Sequence, residues 1–93
     1  MEGSKYITYV LKDDYNKLYK GVTNNLVRRF NEHKKGKTKT TSRMKGLKVV
    51  YTEEFDSFKE ARKREVYFKT AAGRRYLKNK LSEYSSVVTR PTE

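Results

Sequence analysis

The sequence predicts an α/β domain built on a small three-stranded antiparallel sheet flanked by helices. Three runs rich in β-branched and aromatic residues, at 5–12, 18–22 and 46–54, have the composition and length of short strands. Apolar residues also recur every three to four positions from about Asn25 and again after Ser57, the period of a helix buried on one side. A chain of 93 residues fits one domain of the usual size, about 50 to 250 residues. The expected organisation is an N-terminal extension at 1–4, a single domain at 5–82 and a frayed tail at 83–93.

The first strand, KYITYVLK, runs into Asp13-Asp14-Tyr15-Asn16-Lys17, a set of turn formers, and Leu18 begins the second, so the two read as a hairpin. Tyr9 and Tyr19 then face the same side near the sheet's edge, either as packing residues, since strands are enriched in tyrosine, or as functional phenols. Thr23, Asn24 and Asn25 offer capping oxygens for the next helix. On that helix Leu26, Phe30 and His33 share one face with Arg29 beside them, while Arg28, Asn31, Glu32 and Lys35 fall on the other. Arg29 and His33 either snorkel from an ordinary amphipathic helix or hold a cation and an imidazole over the core.

Residues 34–45, KKGKTKTTSRMK, break the periodicity and read as a flexible loop, either a plain connection or one whose donors reach phosphates. The third strand centres on Val49, Val50 and Tyr51, and Ser57 with Glu60 matches a capping box for the second helix. At about 100° per residue, Phe58, Ala61, Glu65, Phe68 and Ala72 form one stripe, so a carboxylate occupies an apolar position. That placement is costly unless a cation compensates it, either an arginine such as Arg29 or a metal ion. Gly73 then relaxes or bends the helix, and Leu77 and Leu81 carry a last segment to Ser82.

Composition excludes several chemistries. With no cysteine there are no disulfides, thiolate nucleophiles or cysteine zinc sites, and one histidine does not make a zinc site. No glycine-rich phosphate loop is present. No signal-peptide pattern opens the chain, and no apolar run approaches the roughly 18 residues of a membrane span, so a soluble cytoplasmic protein is expected. The net charge of +12 is clustered: nine Lys or Arg stand against Glu32 alone over 20–45, and eight stand against Glu65 alone over 62–80. Such clustering exceeds what solubility requires and suits a polyanion, because neutralised phosphates release their condensed counterions. The candidate nucleic-acid contacts are Lys20, Lys34, Lys35, Lys37, Lys39, Arg43, Lys45, Arg64 and Lys69. No long base-reading helix is evident, so little sequence specificity is expected.

Tyr9 and Tyr19 lie on two apolar runs, Gly21 closes the second, Arg29 follows eight positions later, His33 four after that, and Glu65 sits in a downstream helix. This ordered set resembles the GIY-YIG nuclease family, especially its small stand-alone members, which are similar to the N-terminal nuclease module of the bacterial excision-repair nuclease. The resemblance spans roughly residues 5–81, with the two name-giving triplets reading Ile7-Thr8-Tyr9 and Tyr19-Lys20-Gly21. It implies a divalent-metal-dependent endonuclease hydrolysing DNA phosphodiester bonds in repair or recombination. It further implies Tyr9, Tyr19, Arg29, His33 and Glu65 as the catalytic set, with Glu65 holding Mg²⁺ or Mn²⁺. Arg29 suits a phosphate oxygen through its planar fork. The proton acceptor is a tyrosine assisted by nearby cations, or His33. The implied partner is DNA, whether duplex, branched or single-stranded, with a targeting protein as a further partner. Two rivals stand beside this reading: a non-catalytic nucleic-acid-binding module, suggested by the altered triplets, and a nuclease that needs a protein partner.

Overall fold

The computed structural model describes residues 5–37 and 41–89, with side chains through 81; the expectations for 1–4, Lys39 and 90–93 lie outside these. In chain order the elements are β1 (Tyr6–Lys12), β2 (Leu18–Thr23), α1 (Leu26–Lys34), β3 (Lys48–Phe55), α2 (Phe58–Phe68) and α3 (Ala71–Thr89). The strands form one antiparallel sheet in the order β2-β1-β3, as expected for the fold class. No helix among the described residues is long and apolar enough to cross a membrane.

The hairpin closes through Asp13, whose carboxylate accepts from the Tyr15 and Lys17 amides at 2.9 and 2.8 Å, while Asn16 takes a φ of 68°, which asparagine tolerates. Because β3 pairs with the other side of β1, Tyr9 stands on the central strand, only 1% exposed, and the expected edge position holds for Tyr19 alone. Alternation along β1 divides its residues between two layers. Thr8 and Val10 face the α2–α3 side: the Thr8 hydroxyl donates to the Ala61 carbonyl at 2.8 Å, and Val10 packs with Phe68 and Leu77. Tyr9 faces the opposite way and meets His33 of α1.

Both helix starts anticipated from sequence are present. The Asn25 side chain caps α1 by accepting from the Arg28 amide, and Ser57 caps α2 by accepting from the Glu60 amide. The stripe on α2 is shorter than expected: Ala61, Glu65 and Phe68 are buried, but Phe58 is 53% exposed and Ala72 belongs to α3.

The break between α2 and α3 also differs from the sequence reading, falling at Lys69–Thr70 rather than at Gly73. Thr70 creates it by accepting the Gly73 amide on its hydroxyl at 3.0 Å, a local bond that competes with continuation of the helix. Gly73 makes the resulting corner possible, since a Cβ there would lie 1.9 Å from the Tyr67 carbonyl oxygen. The last helix runs to Thr89 rather than ending at Ser82, because no proline interrupts the chain before Pro91.

The loop after α1 is likewise more tied than its composition suggests. Thr41 is 1% exposed, the Met44 amide donates to its carbonyl at 3.0 Å, and the Asp14 amide donates to the Lys45 carbonyl at 2.8 Å.

Candidate active site

The site begins with a steric fact about Gly21. Tyr9 and Gly21 are partners across the β1–β2 ladder, and a Cβ on Gly21 would meet the Tyr9 hydroxyl at 2.6 Å. Only a glycine lets the phenol lie across β2 and bring its oxygen to that strand. Leu11 pairs with Tyr19 in the same ladder, so both tyrosines face the same side, with ring centroids 6.3 Å apart.

Helix α1 brings His33 to this pair. Its Nε2 lies 2.8 Å from the Tyr9 hydroxyl and its Nδ1 lies 2.7 Å from the Thr41 hydroxyl, so both ring nitrogens of a buried imidazole are satisfied. The Tyr19 ring stands edge-on to His33 at 4.9 Å. Arg29, one turn earlier, pairs with Glu32 at 2.9 Å and also acts on the Tyr9 phenol as hydrogen-bond partner and as charge. Glu65 approaches from α2, within electrostatic reach of Tyr9. All five residues expected to form the site are therefore brought together.

Burial pushes the Tyr9 phenol up to about 12, against the pull of Arg29, so Tyr9 is a protonated phenol at neutral pH. Burial, and then the Arg29 charge, hold His33 below the ordinary histidine value, so its ring is neutral there. The folded protein thus binds fewer protons at His33 than the unfolded chain does. The stability of the neutral ring is fully present above about pH 6.5 and is lost as pH falls from there through the folded value. The urea midpoint of the wild type should exceed that of His33→Gln most at about pH 7.5, with the gap narrowing towards about pH 5.5. A gap independent of pH would contradict this account.

Glu65 is 6% exposed, and its partners are not the expected Arg29. Oε1 accepts from Arg62 Nη1 at 2.8 Å and Oε2 pairs with Lys69 Nζ at 2.9 Å, both one turn away on or beside the same helix. That i−3 and i+4 spacing was visible in the sequence and identifies both cations. Their side chains are 56% and 54% exposed, so either can withdraw into water. No group of three or more His, Asp or Glu able to hold a metal ion occurs among the described residues. A lone buried carboxylate with displaceable partners fits Mg²⁺, which takes one or two carboxylates and completes its shell with water and phosphate oxygens.

The remaining cations are distributed unevenly. Lys20 lies half-buried on the α2–α3 side of β2, where burial and then the charges of Arg74 and Lys69 hold its amine below the ordinary lysine value. Lys34, Lys35, Lys37, Arg43 and Lys45 are exposed around the end of α1 and its loop. Arg64 is placed elsewhere. It binds Glu53 at 2.8 and 3.2 Å and lies over the rings of Tyr67, Phe68 and Tyr76, so it holds β3, α2 and α3 together instead of facing a ligand. Thr41 was missed altogether, since nothing local in a Lys/Thr-rich segment marks one threonine as the partner of a histidine eight positions away.

The family model described as the GIY-YIG catalytic domain matches residues 5–81, with both strands of the tyrosine pair and the helices of Arg29 and Glu65 inside the match. The chain belongs to the GIY-YIG family. This GIY-YIG protein is 42% identical over 72 residues to a UPF0213 protein of Limosilactobacillus reuteri, a match covering 74% of this chain and 75% of the relative. It is 36% identical over 70 residues to the UPF0213 protein YazA of Bacillus subtilis, covering 74% and 71%. Its structure resembles the solution NMR structure of a UPF0213 protein from Bacillus halodurans, with a TM-score of 0.55, 25% identity, and 92% and 95% of the two chains covered. Membership places the chain among nuclease domains that act on DNA.

The departures from the family's triplets can now be located. Thr8 and Lys20 lie on the sheet face opposite Tyr9 and Tyr19, where Thr8 bonds Ala61 and Lys20 adds positive charge. Ile7, at the position of the first glycine, pairs regularly with Thr23 and Glu54. None of the three substitutions disturbs the tyrosine pair.

Proposed function

We propose that this GIY-YIG protein is a divalent-metal-dependent endonuclease that hydrolyses DNA phosphodiester bonds with little sequence specificity, in repair or recombination. The observation that carries the reading is the convergence of a buried carboxylate, a guanidinium and a hydrogen-bonded Tyr9–His33–Thr41 chain on one strand edge. Separate structural roles for these groups would not require them to meet.

Glu65 would hold the metal, Mg²⁺ or Mn²⁺, once Arg62 and Lys69 turn from its oxygens towards water or DNA phosphates. The bound ion supplies Lewis acidity at the phosphate and charge compensation at the leaving oxygen. Arg29, whose charge is permanent, steadies a non-bridging oxygen as negative charge builds on the phosphate. In the tautomer that serves hydrolysis, Tyr9 donates to His33 Nε2 and Nδ1–H donates to the Thr41 oxygen. As the attacking water loses its proton to the Tyr9 oxygen, Tyr9 passes its own proton to Nε2. Tyr9 therefore acts without existing as a free phenolate, which its raised pKa disfavours. Tyr19 fixes the imidazole plane edge-on. Lys20, Lys34, Lys35, Lys37, Arg43 and Lys45 supply non-specific phosphate attraction, with Lys39 assigned to the same role from sequence.

The test is a cleavage panel on supercoiled plasmid, branched duplex and single-stranded DNA. The protein is first stripped with chelator and then given Mg²⁺ or Mn²⁺. Strand breaks that appear only with metal support the proposal. Salt-sensitive binding without breaks under any of these conditions would leave a binding module on the same scaffold.

A further inference from the structure

A cleft of about 340 Å³ opens beside the candidate site, between the start of α1, the end of β2 and the start of α2. Tyr6, Val22 and Phe58 give it an apolar, aromatic lining, while Arg28 and Arg29 bring positive charge and Asn24 an amide; no carboxylate lines it. Phe58 is the unusual member. It opens the buried stripe of α2, yet it is 53% exposed, held only edge-on by Tyr6 at 5.8 Å. A large aromatic ring left half in water beside two guanidinium groups suits a flat, π-rich ligand that carries negative charge.

We infer that this cleft receives a nucleobase flanking the scissile phosphate, drawn out of its stack and laid against Phe58. The inference rests on the nuclease reading and deepens it, because Arg29 belongs to both the cleft and the catalytic cluster. A strand whose phosphate meets Arg29 thus has its neighbouring base at the mouth of the cleft. Stacking on an aromatic side chain is tolerant of base identity, consistent with cleavage of little sequence specificity. An asparagine amide beside the ring offers both a donor and an acceptor to a base edge. A duplex substrate would have to give up the stacking of that base before it could be seated, whereas an unpaired or damaged nucleotide yields it more readily.

The chain has no tryptophan, so Phe58→Trp places a single reporter in the cleft. This protein is titrated, without divalent metal, with dye-labelled oligothymidylate and with an oligomer of the same length lacking bases. Anisotropy reads binding and tryptophan emission reads stacking. Both oligomers should bind, but only the one with bases should quench the tryptophan. In Phe58→Ala the affinity for oligothymidylate should fall about ten-fold, with that for the abasic oligomer unchanged. Binding of both with equal quenching, or with none, overturns the base-docking proposal and leaves the nuclease reading standing. Failure of either oligomer to bind overturns both.

Discussion

Replacing Glu65 by glutamine is expected to lower DNA cleavage by about 1,000-fold while leaving the protein folded, a loss of roughly 4 kcal/mol of transition-state stabilisation at about 1.4 kcal/mol per factor of ten. The separation of activity from stability follows from which side of the ion pair is buried. Removing one partner of a buried pair is usually destabilising because the other is stranded without solvation. Here the group removed is the buried one, and its partners Arg62 and Lys69 are each more than half exposed, so they regain water when the carboxylate charge disappears. Glutamine also keeps the shape that fills the stripe between Ala61 and Phe68. Metal-dependent nicking measured beside thermal unfolding tests both halves of this expectation. Nicking at the wild-type rate in a folded Glu65→Gln protein would remove Glu65 from the chemistry.

Arg29→Ala should cost on the order of 100-fold in the cleavage rate, the usual size of losing one positioned donor to a developing oxyanion. Arg29→Lys should recover only part of this, since an ammonium lacks the planar fork. Arg28→Ala is the informative comparison, because the two neighbours share the Glu32 partner, at 2.9 Å for Arg29 and 3.2 Å for Arg28. Only Arg29 also acts on the Tyr9 phenol. Single-turnover rates at saturating DNA should therefore separate them, with Arg28→Ala close to wild type in rate and weaker in binding. Equal rate losses in both variants would mean that the two arginines serve only as general cationic surface.

The position of Glu32 explains why Arg29 is not simply a free surface cation. The carboxylate holds the guanidinium on α1, and Arg29 and Arg28 in turn hold Glu32 below the usual carboxylate range. A phosphate arriving at the site meets an arginine already oriented by its helix. Part of the orientational cost of binding is thereby met in the folded chain.

Local patterns in the sequence determined much of this protein. The strands, the caps at Asn25 and Ser57, the shared face of Tyr9 and Tyr19, and the placing of Glu65 among apolar residues all follow from short-range periodicity and side-chain chemistry, and the structure has them. The break at Thr70 was also local, but Gly73 is the more conspicuous helix breaker; its role became clear only from the approach of the Tyr67 carbonyl. Tertiary structure alone decided that β1 is the central strand, that Thr41 closes on His33, and that Arg64 is held by Glu53 and three aromatic rings. Each of these depends on which distant segments meet. Side-chain period and capping chemistry act over a turn or a strand, whereas strand order and loop docking depend on burial across the whole domain.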